Sequence, residues 1–263
     1  MKNKLHQLSS FVSYWLDAVD EHSLHSPFLY NFYSKVLCHP PDQKALTFIE
    51  VERAKLLKDD RSVDVDDFGS GASFARGNKR VINRIAKTSL TTQKFSQLYG
   101  RIIDYFSCRN ILELGTSLGI NTLYLASGET TDVVTFEGSS SLADEAQRIF
   151  DNVGAKNISI VRGNIDQTLP RHLEHAANVD FVFIDANHKY LPTITYFTQL
   201  LGRTHEHSII VIDDIHYSGE MEMAWREIQI HARVSLTVDL FRCGIVFLNP
   251  ALRRERVVLS FKD

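Results

Sequence analysis

The rhythm of hydrophobic positions changes near residue 100. From residue 110 onward, apolar runs of β type alternate with segments of helical period. Seven such runs stand at residues 110–114, 133–137, 158–162, 179–185, 208–213, 234–241 and 243–248. The runs at 179–185 and 208–213 are apolar almost throughout, as expected of strands covered on both faces in a parallel sheet. Strands alternating with helices predict a doubly wound α/β domain. The last two runs are separated by Arg242 alone, or by Arg242 with Cys243 and Gly244. So short a link predicts a hairpin, and therefore an antiparallel final pair.

Before residue 100 the pattern is helical. Leu8, Phe11, Val12, Trp15, Leu16 and Val19 recur at the spacing of an amphipathic helix. Ser26 followed by Pro27 marks the start of a second helix over residues 27–37, with serine as N-cap and proline in the first turn. Residues 47–57 predict a third. Residues 59–78 are polar and contain glycine and serine, which predicts a long loop. Within it, Asp67-Phe-Gly-Ser-Gly71 imitates a glycine turn and reads as lid. The expected division is a helical cap and lid segment over residues 1–100 and a main domain over 101–263.

Composition narrows the function classes. The 263 residues are 44% hydrophobic, enough for a sizeable core, and the net charge of −3 gives no global attraction to nucleic acid or an acidic membrane. Cys38, Cys108 and Cys243 are too scattered for a metal knuckle or a disulfide framework. No apolar stretch approaches the roughly 20 residues of a membrane span, and no secretory signal is visible. A cytoplasmic location with no membrane partner is expected. Residues 68–103 carry Arg76, Lys79, Arg80, Arg84, Lys87, Lys94 and Arg101 with no acid. Two readings stand: a solvated helix face, or a lid over an anionic ligand.

The first β run leads through Glu113, Gly115, Thr116, Ser117 and Gly119 into a helical segment that contains Asn121. A strand, a glycine turn and a helix start form a nucleotide-binding corner, because glycine lets backbone N–H groups approach the ligand. The spacing is E-x-G-x-x-x-G, not the G-x-G-x-x-G of dinucleotide sites. An acid before the first glycine suits a ligand bearing ammonium and sulfonium groups better than a pyrophosphate. The second run ends in Glu137, where an acid accepts ribose hydroxyls in other doubly wound sites.

In these residues the chain resembles the class I S-adenosylmethionine-dependent methyltransferases, over roughly residues 88–248. The resemblance implies a Rossmann-like seven-stranded sheet of order 3-2-1-4-5-7-6 with the last strand antiparallel. It implies S-adenosylmethionine as cofactor, with Glu113, Gly115, Thr116, Ser117, Gly119 and Asn121 around its methionine end. Glu137 would meet the ribose, and Gly163, Asn164 and Ile165 the adenine. Asn164 stands where aspartate is frequent in the family; its amide oxygen can still accept from the adenine amino group.

The fourth and fifth runs end in Asp185 and in Asp213-Asp214. Ligands of open α/β sheets bind at the carboxyl edge. Carboxylates gathered there repel one another unless a cation, a proton or an arginine joins them. One solution is a hard divalent ion such as Mg²⁺ on Asp185, Asp213 and Asp214, which would hold two substrate oxygens and acidify a hydroxyl. This arrangement resembles the metal-dependent O-methyltransferases of the catechol and caffeoyl-CoA types and their bacterial relatives. Asp213-Asp214 replaces their Asp-Asn pair, and His188, followed by Lys189, stands where they carry a lysine. The resemblance implies His188 or Lys189 as base, with Asp185 at the cofactor and the metal. Upstream, Gln97-Leu98 partly matches a Gly-Gln-x-Leu helix start, without its glycine. The expected activity is O-methylation of a small hydroxylated molecule, with a homodimer in keeping with the family. RNA methylation, served by the basic segment, and a non-catalytic cofactor-binding protein are the alternatives.

Overall fold

The computed structural model describes residues 2–39, 46–65, 78–128 and 130–261. Arg76 and the Asp67–Gly71 turn lie outside them. In chain order, helices α1 (Lys2–Asp17), α2 (Pro27–Phe32) and α3 (Thr47–Leu56) precede a pair of strands, β1 (Ser62–Val65) and β2 (Asn78–Val81). Helices α4 (Ile82–Ser89) and α5 (Gln93–Tyr105) follow. Then come β3 (Asn110–Leu114), α6 (Ile120–Leu125), β4 (Asp132–Glu137), α7 (Ser140–Val153), β5 (Ile158–Arg162) and α8 (Ile165–His175). The remainder is β6 (Val179–Ile184), α9 (Tyr190–Leu201), β7 (Thr204–Asp213), α10 (Gly219–Ile230), β8 (Leu236–Asp239), β9 (Cys243–Phe247) and β10 (Glu255–Val258). Among the described residues no helix is long and apolar enough to cross a membrane.

The chain forms two compact units, one of residues 40–176 and one of residues 1–39 with 177–263. The first 100 residues are thus shared between them. In the unit of residues 40–176, β4 pairs in parallel with β3 on one side and β5 on the other. That order is the expected 3-2-1, with α6 and α7 as crossovers. Ile49, Ile82, Leu118, Ile120, Tyr124, Ile149 and Phe150 form one buried cluster that ties α3 and α4 to α6 and α7. The polar stretch read as a loop holds the antiparallel β1–β2 pair instead. Two valines in Ser-Val-Asp-Val are too few to stand out by pattern, yet Val65 joins that cluster. Arg61 fixes the pair to α7 by ion pairs to Asp59 at 2.7 Å and Glu145 at 3.0 Å.

In the other unit the order is β6-β7-β9-β8-β10. β7 runs parallel to β6, while β9 runs antiparallel to both β7 and β8. This is the expected 4-5-7-6 with its antiparallel hairpin, extended by β10, which pairs in parallel with β8. The segment Glu-Arg-Val-Val is too short and too charged to announce itself as a strand. Ser26 caps α2 with Pro27 in the first turn, and a π-type turn over Tyr33–Leu37 continues it. Helix α1 forms, but Leu8, Val12, Trp15 and Leu16 stay exposed. The opposite face anchors it: the Ser10 hydroxyl donates to Glu222, and the Tyr14 hydroxyl donates to the Leu259 carbonyl at 2.7 Å. His216 completes that anchor, with Nδ1 3.0 Å from Glu222 and Nε2 2.9 Å from Asp239. Burial alone draws its pKa down, but the two carboxylates carry it above the ordinary histidine value. Both ring nitrogens then donate, which only the imidazolium can do.

Candidate active site

The glycine turn after β3 is built by backbone conformation first. Gly115 has φ 102° and Gly119 φ 75°, in the left-handed region that favours glycine. At Gly119 a methyl group has no room either: an added Cβ would lie 2.6 Å from the Phe150 ring. The amides of Gly115 and Thr116 both donate to the Phe136 carbonyl, at 3.0 and 3.1 Å, which ties the turn to β4.

Two buried carboxylates hold this corner together. Glu137 accepts from the Ser117 N–H at 2.8 Å through one oxygen and from the Ser139 N–H at 2.9 Å through the other. Burial raises its pKa, against the pull of those N–H groups. Glu113 is wholly buried. Its carboxyl accepts from Asn121 Nδ2 at 3.0 Å, Thr122 Oγ1 at 2.5 Å and Thr135 Oγ1 at 2.7 Å. Burial pushes it up to about 7, although all three hydrogen bonds oppose the rise. A second Thr135 contact, to the Thr116 hydroxyl at 2.6 Å, links the network back to the turn. Glu113, expected at the methionine end of a ligand, is held by three buried side chains. Among the described residues, the buried Asn121 Oδ1 has no hydrogen-bond partner. Such an orphan acceptor points to a donor supplied from outside the chain.

Gly163 has φ 114° and donates its N–H to the Glu137 carbonyl at 2.9 Å, so the turn after β5 joins the same corner. Asn164 is the N-cap of α8, its Oδ1 accepting from the Asp166 N–H at 2.9 Å. That use takes one of two lone pairs and leaves acceptor capacity. Ile165 opens the helix. Gly115, Thr116, Ser117, Gly119, Asn121, Glu137 and Gly163 are thus joined by hydrogen bonds or strand register, all inside the unit of residues 40–176. Thr122 and Thr135 were not anticipated; buried threonine is too common to signal a role.

The acidic edge lies in the other unit. Asp185 follows β6, and His188 Nε2 sits 3.4 Å from its Oδ1. His188 has φ 39° and Asn187 φ 65°, two adjacent left-handed residues without glycine. Such strain persists only where the surroundings impose it and clusters at functional sites. The Asn187 amide donates to the Tyr196 hydroxyl, which holds this turn to α9. The His188 ring packs 5.9 Å from that of Tyr217. Lys189 is the N-cap of α9 with extended backbone.

Asp213 ends β7 and is wholly buried. It does not join Asp185 and Asp214 as a ligand set. Among the described residues no group of three or more His, Cys, Asp or Glu side chains is placed to hold a metal ion. Arg242 explains why: its Nε lies 3.3 Å from Asp213 Oδ1 and its Nη2 3.0 Å from Oδ2. Burial raises the Asp213 pKa, and the guanidinium is the main force holding it down. Asp213 therefore already has a positive partner within the chain. Asp214 has a left-handed backbone, with φ 54°. Arg242 was read only as a link between strands. Strand register held the signal: Cys243 pairs with Asp213 across the antiparallel ladder, so the preceding residue lies at the same edge.

Residues 112–215 match a family described as a methyltransferase domain. A catechol O-methyltransferase of Niastella koreensis is 30% identical over 132 residues, which cover 49% of this chain and 58% of that protein. The match therefore spans less than two thirds of that relative's length. A catechol O-methyltransferase of Mycobacterium tuberculosis is 28% identical over 59% of this chain and 68% of its own. In fold, the chain is similar to an O-methyltransferase from Bacillus cereus in complex with SAH, with TM-score 0.57, 18% identity and coverage of 83% of this chain and 97% of that one. It is also similar to the O-methyltransferase TomG of Streptomyces achromogenes in complex with SAM, with TM-score 0.53, 19% identity and coverage of 61% and 82%. Residues 112–215 are thus similar to a methyltransferase domain, and the α/β architecture is that of the solved O-methyltransferase structures.

Proposed function

We propose that this chain methylates an oxygen of a small hydroxylated molecule, using S-adenosylmethionine bound by the unit of residues 40–176. The observation that carries the reading is the glycine corner. Its backbone has no room for a side chain at Gly119, and it presents a buried orphan acceptor at Asn121. Those features suit a ligand that approaches the backbone closely and brings its own N–H donors. The names of the two curated relatives support an oxygen acceptor.

S-adenosylmethionine, when bound, supplies a methyl group on a positively charged sulfur. The chain's own residues bind, orient and move the proton. Glu137 accepts the ribose hydroxyls with lone pairs that Ser117 and Ser139 leave unused. Asn121 Oδ1 accepts from the cofactor ammonium, and Asn164 with the Ile165 amide meets the adenine. Glu113 touches no ligand; it positions Asn121. His188 takes the proton from the acceptor hydroxyl, since histidine titrates near neutrality. Asp185, 3.4 Å from His188 Nε2, stabilises the imidazolium that results. Lys189 is the neighbouring amine for the same task. Exposed Lys79, Arg80, Arg84 and Lys87 favour RNA as a second class of acceptor.

Isothermal titration tests the reading directly. Saturable binding of S-adenosylmethionine is expected. Glu137→Gln should weaken it roughly 10-fold or more, the loss of about 1.4 kcal/mol or more that one charge-assisted hydrogen bond supplies. Absence of binding to the wild type sinks the proposal. Retention on RNA that survives roughly 0.2 M salt would move the acceptor class to RNA.

A further inference from the structure

We infer that Arg242 takes the place of a divalent ion at the carboxyl edge of β6 and β7, serving as the fixed counter-charge to Asp213. The inference deepens the methyltransferase reading and rests on it for its catalytic meaning. The geometry itself stands apart from that reading.

Three observations carry it. First, the pairing is side-on and takes both carboxylate oxygens, at 3.3 and 3.0 Å, in the planar fork that arginine forms with a carboxylate. Second, the arginine is held by its backbone. Arg242 lies in the turn between β8 and β9, its N–H donating to the Leu240 carbonyl at 2.8 Å and its carbonyl accepting from the Ile215 N–H at 3.3 Å. Ile215 is two residues beyond Asp213, so the two ends of the ion pair are tied by main chain as well. Third, Asp213 is wholly buried, whereas the Arg242 side chain keeps 27% of its surface. The positive charge is therefore what this edge presents outward. A divalent ion at hydrogen-bond range of the same carboxylate would meet a guanidinium within a few ångströms. Like charges at that range repel.

The consequence is chemical. An ion can chelate two neighbouring oxygens of one substrate, whereas a guanidinium committed to Asp213 cannot. The acceptor class that fits is a molecule with a single ionisable hydroxyl, without need of a vicinal pair.

Mn²⁺ titration of the full chain, followed by electron paramagnetic resonance, tests this without any activity assay. Wild-type protein is expected to take up no stoichiometric Mn²⁺ through the range where weak protein sites fill, roughly 0.1–1 mM. Arg242→Met, which leaves Asp213 without its guanidinium partner, is expected to gain about one bound ion. Stoichiometric uptake by the wild type, abolished by Asp213→Asn, overturns the inference. So does an Arg242→Met protein that folds and takes up no more Mn²⁺ than the wild type. If Arg242→Met does not fold, the wild-type titration decides alone. Failure to bind S-adenosylmethionine would instead strike the methyltransferase reading, and the two failures are read in different experiments.

Discussion

Glu113 and Asp213 are both carboxylates of zero exposure at the ends of parallel strands, and the chain treats them in opposite ways. Glu113 is surrounded by neutral donors, two hydroxyls and an amide. Asp213 is clasped by a guanidinium. Neutral donors satisfy hydrogen bonds without cancelling charge, so burial wins and the Glu113 carboxyl is pushed up to about 7. An arginine cancels charge but commits the site to an ion pair that cannot lose one member cheaply. The first arrangement gives a brace that can hold a proton near neutral pH. The second gives a carboxyl paired with a guanidinium at an edge where a ligand set was expected.

The largest expected effect comes from breaking the ion pair. Arg242→Met strands a buried carboxylate and should cost about 3–5 kcal/mol of stability, measured by urea denaturation. Asp213→Leu combined with Arg242→Met should recover most of that loss, because a matched apolar pair replaces a buried ion pair at little cost. A double variant as unstable as the single one would show that Arg242 matters through something other than Asp213.

In the glycine corner the largest effect is steric. Gly119→Ala places a methyl 2.6 Å from the Phe150 ring in a left-handed backbone. The expected loss is roughly 2–4 kcal/mol, part from the backbone and part from overpacking. Adding Phe150→Leu should return only the packing part. Full recovery would mean that the φ of 75° costs nothing, against the premise that glycine is needed there.

The same contrast explains what the sequence disclosed. The glycine corner was legible because strand, turn and helix are contiguous and Glu137 follows in the next strand. A reader needs only the chain order. The arginine was foreseen in kind, as one of three ways to reconcile gathered carboxylates, but not in person. Asp213 and Arg242 are 29 residues apart and meet only through the β7–β9 register, which no local pattern specifies. His216 escaped notice for the same reason: its clamp joins residues of three elements, at 222, 239 and, through Glu222, Ser10. Strand β10 and the β1–β2 pair were hidden because four-residue strands carry too few apolar positions to show a period. The amphipathic pattern of α1 was read correctly as helical, yet it is the Ser10–Tyr14 face that packs. Hydrogen bonds to Glu222 and Leu259 decide that orientation, and they cannot be seen in hydrophobicity.

The smallest expected effect is also the one that best separates the two carboxylates, because it depends on pH. The folded-state pKa of Glu113 lies above its ordinary value of 4.5, at about 7. Below 4.5 both folded and unfolded chains hold the proton, and the stability tied to it is fully present. Between 4.5 and 7 the unfolded chain releases the proton while the folded chain keeps it, so stability falls as pH rises. The slope is at most about 1.4 kcal/mol per pH unit for one proton. Glu113→Gln removes the titration. Its amide keeps one acceptor for the Thr122 and Thr135 hydroxyls, so near pH 5 the variant should lie within about 1 kcal/mol below the wild type. Toward pH 8 the gap should close or reverse, since only the wild type must then bury a charge. Thermal unfolding of both proteins across that range supplies the measurement. A stability difference that stays constant from pH 5 to 8 would mean that Glu113 does not titrate in that range, and the distinction between neutral and charged partners would fail.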